Sequence, residues 1–87
     1  TPVFSALAGK VVESGWGGAY GNHIIVRHDN GVETLYAHLS SASVSTGERV
    51  LRGQRIGAVG STGNSSGPHL HFEVIKNGEQ RDPAAFL

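Results

Sequence analysis

The stretch Gly67-Pro68-His69-Leu70-His71-Phe72-Glu73-Val74 alternates polar and apolar side chains, and this period of two predicts a β-strand with two unlike faces. The polar face consists of two imidazoles and a carboxylate: His69, His71 and Glu73. The apolar face suits a hydrophobic core: Leu70, Phe72 and Val74. A strand rises about 3.3 Å per residue, so the two imidazoles start about 6–7 Å apart at their backbones. Their rings can therefore converge on one small target such as a metal ion, and neutral histidine is a good zinc ligand.

The residues before this strand bear on whether its polar face is a functional site or merely solvated. Residues 62–68 are rich in glycine and serine, and small residues let a substrate come close to the backbone. The string Thr-Gly-x-Ser-x-Gly-Pro-His-Leu-His-Phe-Glu-Val over residues 62–74 resembles the signature of the lysostaphin or LytM-type zinc metallopeptidases. Further segments are similar to the same family: residues 1–3 and 8–12, Tyr20-Gly21-Asn22, Tyr36-Ala37-His38-Leu39, and residues 50–57.

The resemblance implies a zinc endopeptidase that cleaves cross-bridges or stem peptides of bacterial peptidoglycan. Members of that family hold one zinc ion with the His and Asp of a His-x-x-x-Asp motif and with the second histidine of His-x-His, which here is His71. The resemblance makes His69 and His38 the catalytic pair that flanks the attacking water, as base and transition-state stabiliser. Imidazoles suit these roles because they exchange protons near neutral pH.

Other polar and aromatic residues are candidates for supporting roles. Glu73 is either a partner that orients the ring of His71 or a solvated or cross-strand carboxylate. Four residues are expected to line a substrate groove: Tyr20, Asn22, Tyr36 and Ser65. The aromatic loop 16–22 is equally compatible with a loop that folds its own aromatics over the core edge. The resemblance gives His23 and His28 no clear role; we expect His28 at the surface, and His23 in the groove or in solvent.

Short alternating runs between Asn-Gly pairs and glycine-rich loops predict an all-β, mainly antiparallel domain with hairpin connections. The predicted strands are residues 3–6, 8–15, 23–28, 32–39, very short strands within 47–60, and a strand ending near 76. The one predicted helical turn covers residues 82–86. Within 32–39, strict alternation places three residues on one face: Thr34, Tyr36 and His38. We therefore expect His38, His69 and His71 on one sheet face, opposite the core residues Leu35, Leu39, Leu70 and Phe72.

Composition excludes several classes of function. The 87 residues make one small domain at most. Lys plus Arg and Asp plus Glu number seven each, so neither a nucleic-acid-binding patch nor a basic membrane-surface segment is indicated. The absence of cysteine removes disulfides and thiolate metal sites. No segment has the length of a membrane span or the pattern of a signal peptide, so an extracellular, periplasmic, cell-envelope or phage-virion location follows from the resemblance alone.

The sequence departs from the family at the His-x-x-x-Asp motif, which does not occur in the 87 residues. Two of the three expected zinc ligands are then missing, and we expect weak zinc binding. Two interpretations fit: residues 1–87 are a single LytM-type peptidase domain that lacks its N-terminal part, or a degenerate, non-catalytic module that binds cell wall or activates other cell-wall hydrolases. A lipoyl-like carrier domain, which residues 50–57 also resemble, ranks last because no lysine lies in an attachment turn.

Overall fold

The protein is described by a computed structural model that covers residues 1–61 and 70–82. Its strands are β1 (Pro2–Phe4), β2 (Gly9–Trp16), β3 (Asn22–Arg27), β4 (Val32–Ala42), β5 (Arg49–Val50), β6 (Arg55–Val59), β7 (His71–Lys76) and β8 (Glu79–Arg81). Two short 3-10 turns, Gly18–Tyr20 and Asp29–Gly31, lie between strands. Every pairing among these strands is antiparallel, which confirms the predicted all-β fold with hairpin connections. The predicted helical turn at 82–86 lies almost entirely outside the described residues.

The longest strand, β4, organises the sheet. The strand order is β1-β6-β4-β3-β2-β5, and β7 joins the sheet by pairing with β4 and β8. One edge of β4 pairs with β3, and its other edge is shared: Val32 to Ala37 pair with β7, and Leu39 to Ala42 pair with β6. His38 lies at the junction of these two pairings, so this one residue stands where three strands meet β4.

The hydrophobic core covers one face of the sheet. Its buried members are Val3, Val11, Ile24, Val26, Tyr36, Leu39, Val44, Val50 and Ile56, with Val59 and Phe72 packed against them. The ring centroids of Tyr36 and Phe72 lie 5.3 Å apart across the β4–β7 pair. Val74 is also fully buried. The alternation predicted for β7 is therefore confirmed at Phe72, whereas Leu70 is 40% exposed just before the strand and does not belong to the core.

The predicted faces of β4 are wrong on the N-terminal side of His38, because the strand contains a β-bulge. Ile24 pairs with Tyr36 and Asn22 with Leu39, so two residues of β4, Ala37 and His38, oppose one residue of β3. His38 has a φ of 59°. The extra residue shifts the alternation, and Tyr36 and Leu39 both contribute to the core.

The same shift places Leu35 on the face opposite the core. Leu35 pairs with Glu73 and Ala37 with His71, and directly paired residues point to the same side of a sheet. Leu35 and Ala37 are nevertheless 2% and 0% exposed. They form an apolar base beneath the polar residues of that face.

His28, which the sequence placed at the surface, is instead 9% exposed and lies in a polar network on the core side. Its Nδ1 donates to the carbonyl oxygen of Ala8 at 2.7 Å, and its Nε2 lies 2.7 Å from the hydroxyl of Thr34. That hydroxyl lies 2.8 Å from the hydroxyl of Tyr36, which accepts a hydrogen bond from the backbone N–H of Ala6. In the neutral ring Nε2 accepts a hydrogen bond. The hydroxyl of Tyr36 then donates to that of Thr34, and the hydroxyl of Thr34 donates to Nε2 of His28.

Candidate functional site

The face opposite the core brings two of the predicted histidines together. The ring centroids of His38 and His71 lie 5.7 Å apart, with the ring planes at 66°. His71 begins β7 beside Ala37, and the bulge turns His38 to the same side. His38 is 7% exposed, whereas 39% of the His71 side chain remains exposed. The expectation that these two imidazoles share one sheet face is therefore confirmed.

Glu73 contacts His71 directly. Nε2 of His71 donates to Oε2 of Glu73 at 2.6 Å, and the phenol of Tyr20 donates to the same oxygen at 3.1 Å. Glu73 is 9% exposed, and a buried carboxylate needs such donors to remain ionised. Because an ionised carboxylate only accepts hydrogen bonds, the proton of the neutral His71 ring resides on Nε2. Nδ1 is then the unprotonated nitrogen of that ring.

Tyr20 comes from the short loop between β2 and β3 and stands between two imidazoles. Its ring stacks on His71 at a centroid distance of 6.0 Å and an interplanar angle of 29°. It also packs against His23 at 5.9 Å. Desolvation, together with the hydrogen bond to the negatively charged Glu73, raises the pKa of Tyr20 above its ordinary value of 10.0. The phenol therefore remains a hydrogen-bond donor throughout the neutral range.

His23, on the other side of its contact with Tyr20, forms a short hydrogen bond to a carboxylate. Its Nε2 lies 2.5 Å from Oε2 of Glu13, and the residue is 4% exposed. Its buried Nδ1 has no hydrogen-bond partner within the described part of the chain. The backbone of Gly17 lies over the imidazole, since a Cβ on Gly17 would stand only 2.6 Å from Nδ1. His23 thus supports the glycine loop and not the open groove.

The predicted groove residues have different outcomes. Tyr36 is 1% exposed, its hydroxyl is engaged by Ala6 and Thr34, and it lies in the core, so its assignment to the groove is wrong. Asn22 is half-buried at the start of β3, opposite Leu39. His69 and Ser65 lie outside the described residues, and their assignments stay predictions.

The donors fit zinc only as part of a site. A histidine that gives one ring nitrogen to a carboxylate and keeps the other unprotonated has the arrangement that metal-ligating histidines use. Catalytic zinc, however, takes three protein ligands. Within residues 1–61 and 70–82, no group of three or more His, Cys, Asp or Glu side chains is placed to hold a metal ion. His71 is therefore suited to be one ligand among others that these residues do not supply.

Sequence reasoning missed the Glu13–His23 pair and the position of Tyr20 on Glu73. The first contact joins strands β2 and β3, and the second joins the β2–β3 loop to β7, across 10 and 53 positions of the sequence. The alternation of Glu13 and His23 within their own strands does not predict how those strands pair. The register of the pairing decides which side chains meet.

Comparison with known proteins places this arrangement in a family. The family model described as peptidase family M23 matches residues 1–83. The chain belongs to peptidase family M23. Among M23 relatives, the DD-carboxypeptidase/endopeptidase Mpg of Neisseria meningitidis is 51% identical over 98% of this chain and 20% of its own length. The glycyl-glycine endopeptidase ALE-1 of Staphylococcus capitis is 45% identical over 100% of this chain and 26% of its own length. This chain therefore spans about a fifth to a quarter of these relatives.

Several solved structures have a fold similar to that of this chain. The catalytic domain of lysostaphin from Staphylococcus simulans has a TM-score of 0.94 and 41% identity, over 99% of this chain and 69% of that one. A zinc-containing peptidase from Vibrio cholerae has a TM-score of 0.90 and 39% identity, over 94% of this chain and 25% of that one. A chain of the SpoIIQ–SpoIIIAH pore-forming complex has a TM-score of 0.89 and 34% identity, over 100% of this chain and 58% of that one. No helix in the described part of this chain is long and apolar enough to cross a membrane.

Proposed function

We propose that this chain forms the histidine-bearing part of a zinc endopeptidase site that hydrolyses peptide bonds of bacterial peptidoglycan. The observation that carries the proposal is the pair of facing imidazoles, His38 and His71, with Nε2 of His71 bound to Glu73. The printed names of the relatives, a DD-carboxypeptidase/endopeptidase and a glycyl-glycine endopeptidase, support the substrate class. Such a substrate also favours an extracellular or cell-envelope location.

Each described residue has a distinct part in this proposal. His71 would hold zinc through Nδ1, because its Nε2 is committed to Glu73. When bound, zinc polarises the peptide carbonyl and makes water acidic enough to supply a nucleophile at neutral pH. His38 lies on the same face beside His71 and is suited to take and return a proton during peptide hydrolysis. His69 remains its predicted partner from the sequence.

The remaining zinc ligands define the decisive experiment. The family resemblance assigns them to a His-x-x-x-Asp motif, which is absent from the 87 residues. We propose joining residues 1–87 to the segment of the lysostaphin catalytic domain that carries this motif, and comparing the fusion with the 87-residue chain. The fusion is expected to hold zinc at one ion per chain and to release peptide amines from peptidoglycan. The 87-residue chain is expected to bind zinc weakly and to release none.

Two substitutions in the fusion separate the proposed roles. His71→Ala should lose the metal, measured by mass spectrometry of bound zinc. His38→Ala should keep the metal and lower the rate by about 10²–10⁴-fold, the usual contribution of general acid–base catalysis. Stoichiometric zinc in the His71→Ala fusion, or full turnover in the His38→Ala fusion, would contradict these assignments.

A non-catalytic module that binds cell wall or activates other hydrolases is the second candidate. It is favoured by the absence of His-x-x-x-Asp from the 87 residues. A fusion that folds but neither holds zinc nor cleaves peptidoglycan, together with co-sedimentation of the 87-residue chain with peptidoglycan, would favour this candidate over the peptidase.

A further inference from the structure

We propose that Tyr20 is a positioning residue that fixes the ring orientation of His71, both through Glu73 and by direct stacking. The proposal rests on the proposed function, because it concerns the histidine assigned to the metal. It adds a role for Tyr20 beside the sequence-based prediction that this residue lines a substrate groove.

The first restraint on His71 is the shared acceptor. The phenol of Tyr20 and Nε2 of His71 both donate to Oε2 of Glu73, at 3.1 and 2.6 Å. With His71 alone as donor, the Glu73 carboxylate would be free to turn about its terminal torsion, which has a broad energy profile. The second donor holds Oε2 in place. Tyr20 therefore stabilises the hydrogen bond that keeps the proton of His71 on Nε2.

The second restraint is the stack of the Tyr20 ring on the His71 ring. The His71 side chain is 39% exposed, so Glu73 alone leaves room for the ring to swing outward. Tyr20 lies on that ring at 6.0 Å and 29°. Offset aromatic pairs of this kind contribute beyond their buried area. The two restraints act in different directions, one in the plane of the imidazole and one across it.

Tyr20 is itself held by its loop. Its backbone N–H donates to the carbonyl oxygen of Gly17, and Gly17 donates to Gly21. Gly17 rests on the buried ring of His23, whose Nε2 is bound to Glu13. Contacts among three rings, tilted between His23 and Tyr20 and stacked between Tyr20 and His71, thus connect the β2–β3 hairpin to β7. This connection explains why a loop residue can position a side chain on a strand that is not its neighbour in the sheet.

The test reads the state of His71 in the full 87-residue chain, without metal or substrate, by nuclear magnetic resonance. In mildly alkaline solution, the Nε2 proton that His71 shares with Glu73 should be visible and slow to exchange with solvent. Tyr20→Phe keeps the stack but removes the hydroxyl. It should speed that exchange about tenfold, which corresponds to the net free energy of one hydrogen bond. Tyr20→Leu should also weaken the cross-peaks between the rings of His71 and His38.

Tyr36→Phe is the matched control, because it removes a phenol hydroxyl on the core side of the same sheet. It should lower the stability of the fold and leave the His71 signals unchanged. Unchanged exchange of the His71 proton in both Tyr20 variants would overturn the proposal and leave Tyr20 as a groove or structural residue. Because no catalysis is measured, a failure of the proposed peptidase function would not alter this result, and the reverse also holds.

Discussion

At the scale of single residues, the backbone of His38 determines whether the two imidazoles meet. Its φ of 59° is in the left-handed region, where a non-glycine residue costs on the order of 1 kcal/mol or more. Without that torsion, regular alternation would keep Ala37 and His38 on opposite faces of β4. The imidazole is 7% exposed and stands 5.7 Å from the ring of His71. The strain is therefore located where it re-aims one proposed catalytic side chain.

A pair of substitutions at His38 measures this strain. His38→Gly relieves the unfavourable torsion and His38→Ala retains it, while both remove the imidazole. We expect the glycine variant to be more stable than the alanine variant by about 1 kcal/mol, since glycine adopts positive φ without a Cβ penalty. Urea unfolding of both variants measures the difference. In an unstrained strand the order is reversed, because glycine costs more conformational entropy than alanine; that order would contradict the argument.

At the scale of elements, the packing of the loop between β2 and β3 determines the position of Tyr20 at the site. Gly17 has a φ of −135°, outside the left-handed region that favours glycine, and the close approach of His23 makes its need for glycine steric. A Cβ there would overlap the ring of His23, at 2.6 Å from Nδ1 and closer still to Cε1. Since Tyr20 is bonded to Gly17 through its backbone, a displacement of the loop also displaces the tyrosine.

Gly17→Ala should therefore lower stability by about 1–3 kcal/mol through overpacking and also speed solvent exchange of the His71 ring proton. Gly53→Ala is the matched control. It introduces a methyl group into open space at a φ of 79°, between β5 and β6, and should cost about 1–2 kcal/mol from the torsion alone. An equal effect of both variants on the His71 proton would show that general destabilisation, and not the loop, moves His71.

The elements themselves could be predicted from the sequence because their signals are local. The Asn77-Gly78 pair has positive φ at both residues, 52° and 83°, as the tight β7–β8 hairpin requires. The turn before β4 and the alternation of Phe72 with its neighbours could also be predicted from local sequence patterns. The β-bulge in β4 could not be predicted, because an extra residue in one strand is recognised only when its pairing with the neighbouring strand is known. The error at Tyr36 follows from that single unrecognised shift.

At the scale of the whole molecule, β4 separates two polar systems on opposite faces of one sheet. Thr34 and Tyr36 project into the core side, where they join His28, while Leu35 and Ala37 lie under the site. The burial of His28 could not be predicted, since its two partners, Ala8 and Thr34, come from different parts of the chain. A histidine beside a turn is ordinarily solvated, and only the folded sheet closes over this one.

The network on the core side should contribute to the stability of the fold and not to the chemistry of the site. Tyr36→Phe removes the acceptor of the Ala6 N–H and the donor to Thr34, leaving the half-buried N–H of Ala6 and the buried hydroxyl of Thr34 without that bond. We expect the free energy of unfolding to fall by about 1–3 kcal/mol, the cost of an unsatisfied buried polar group. Thr34→Val in addition should cost less than it does in the parent, because the Thr34–Tyr36 bond is already lost and only the bond to Nε2 of His28 remains to be broken. Chemical denaturation of the single and double variants gives both values. Full additivity, with the second substitution costing as much in the variant as in the parent, would mean that the two hydroxyls do not act as one network.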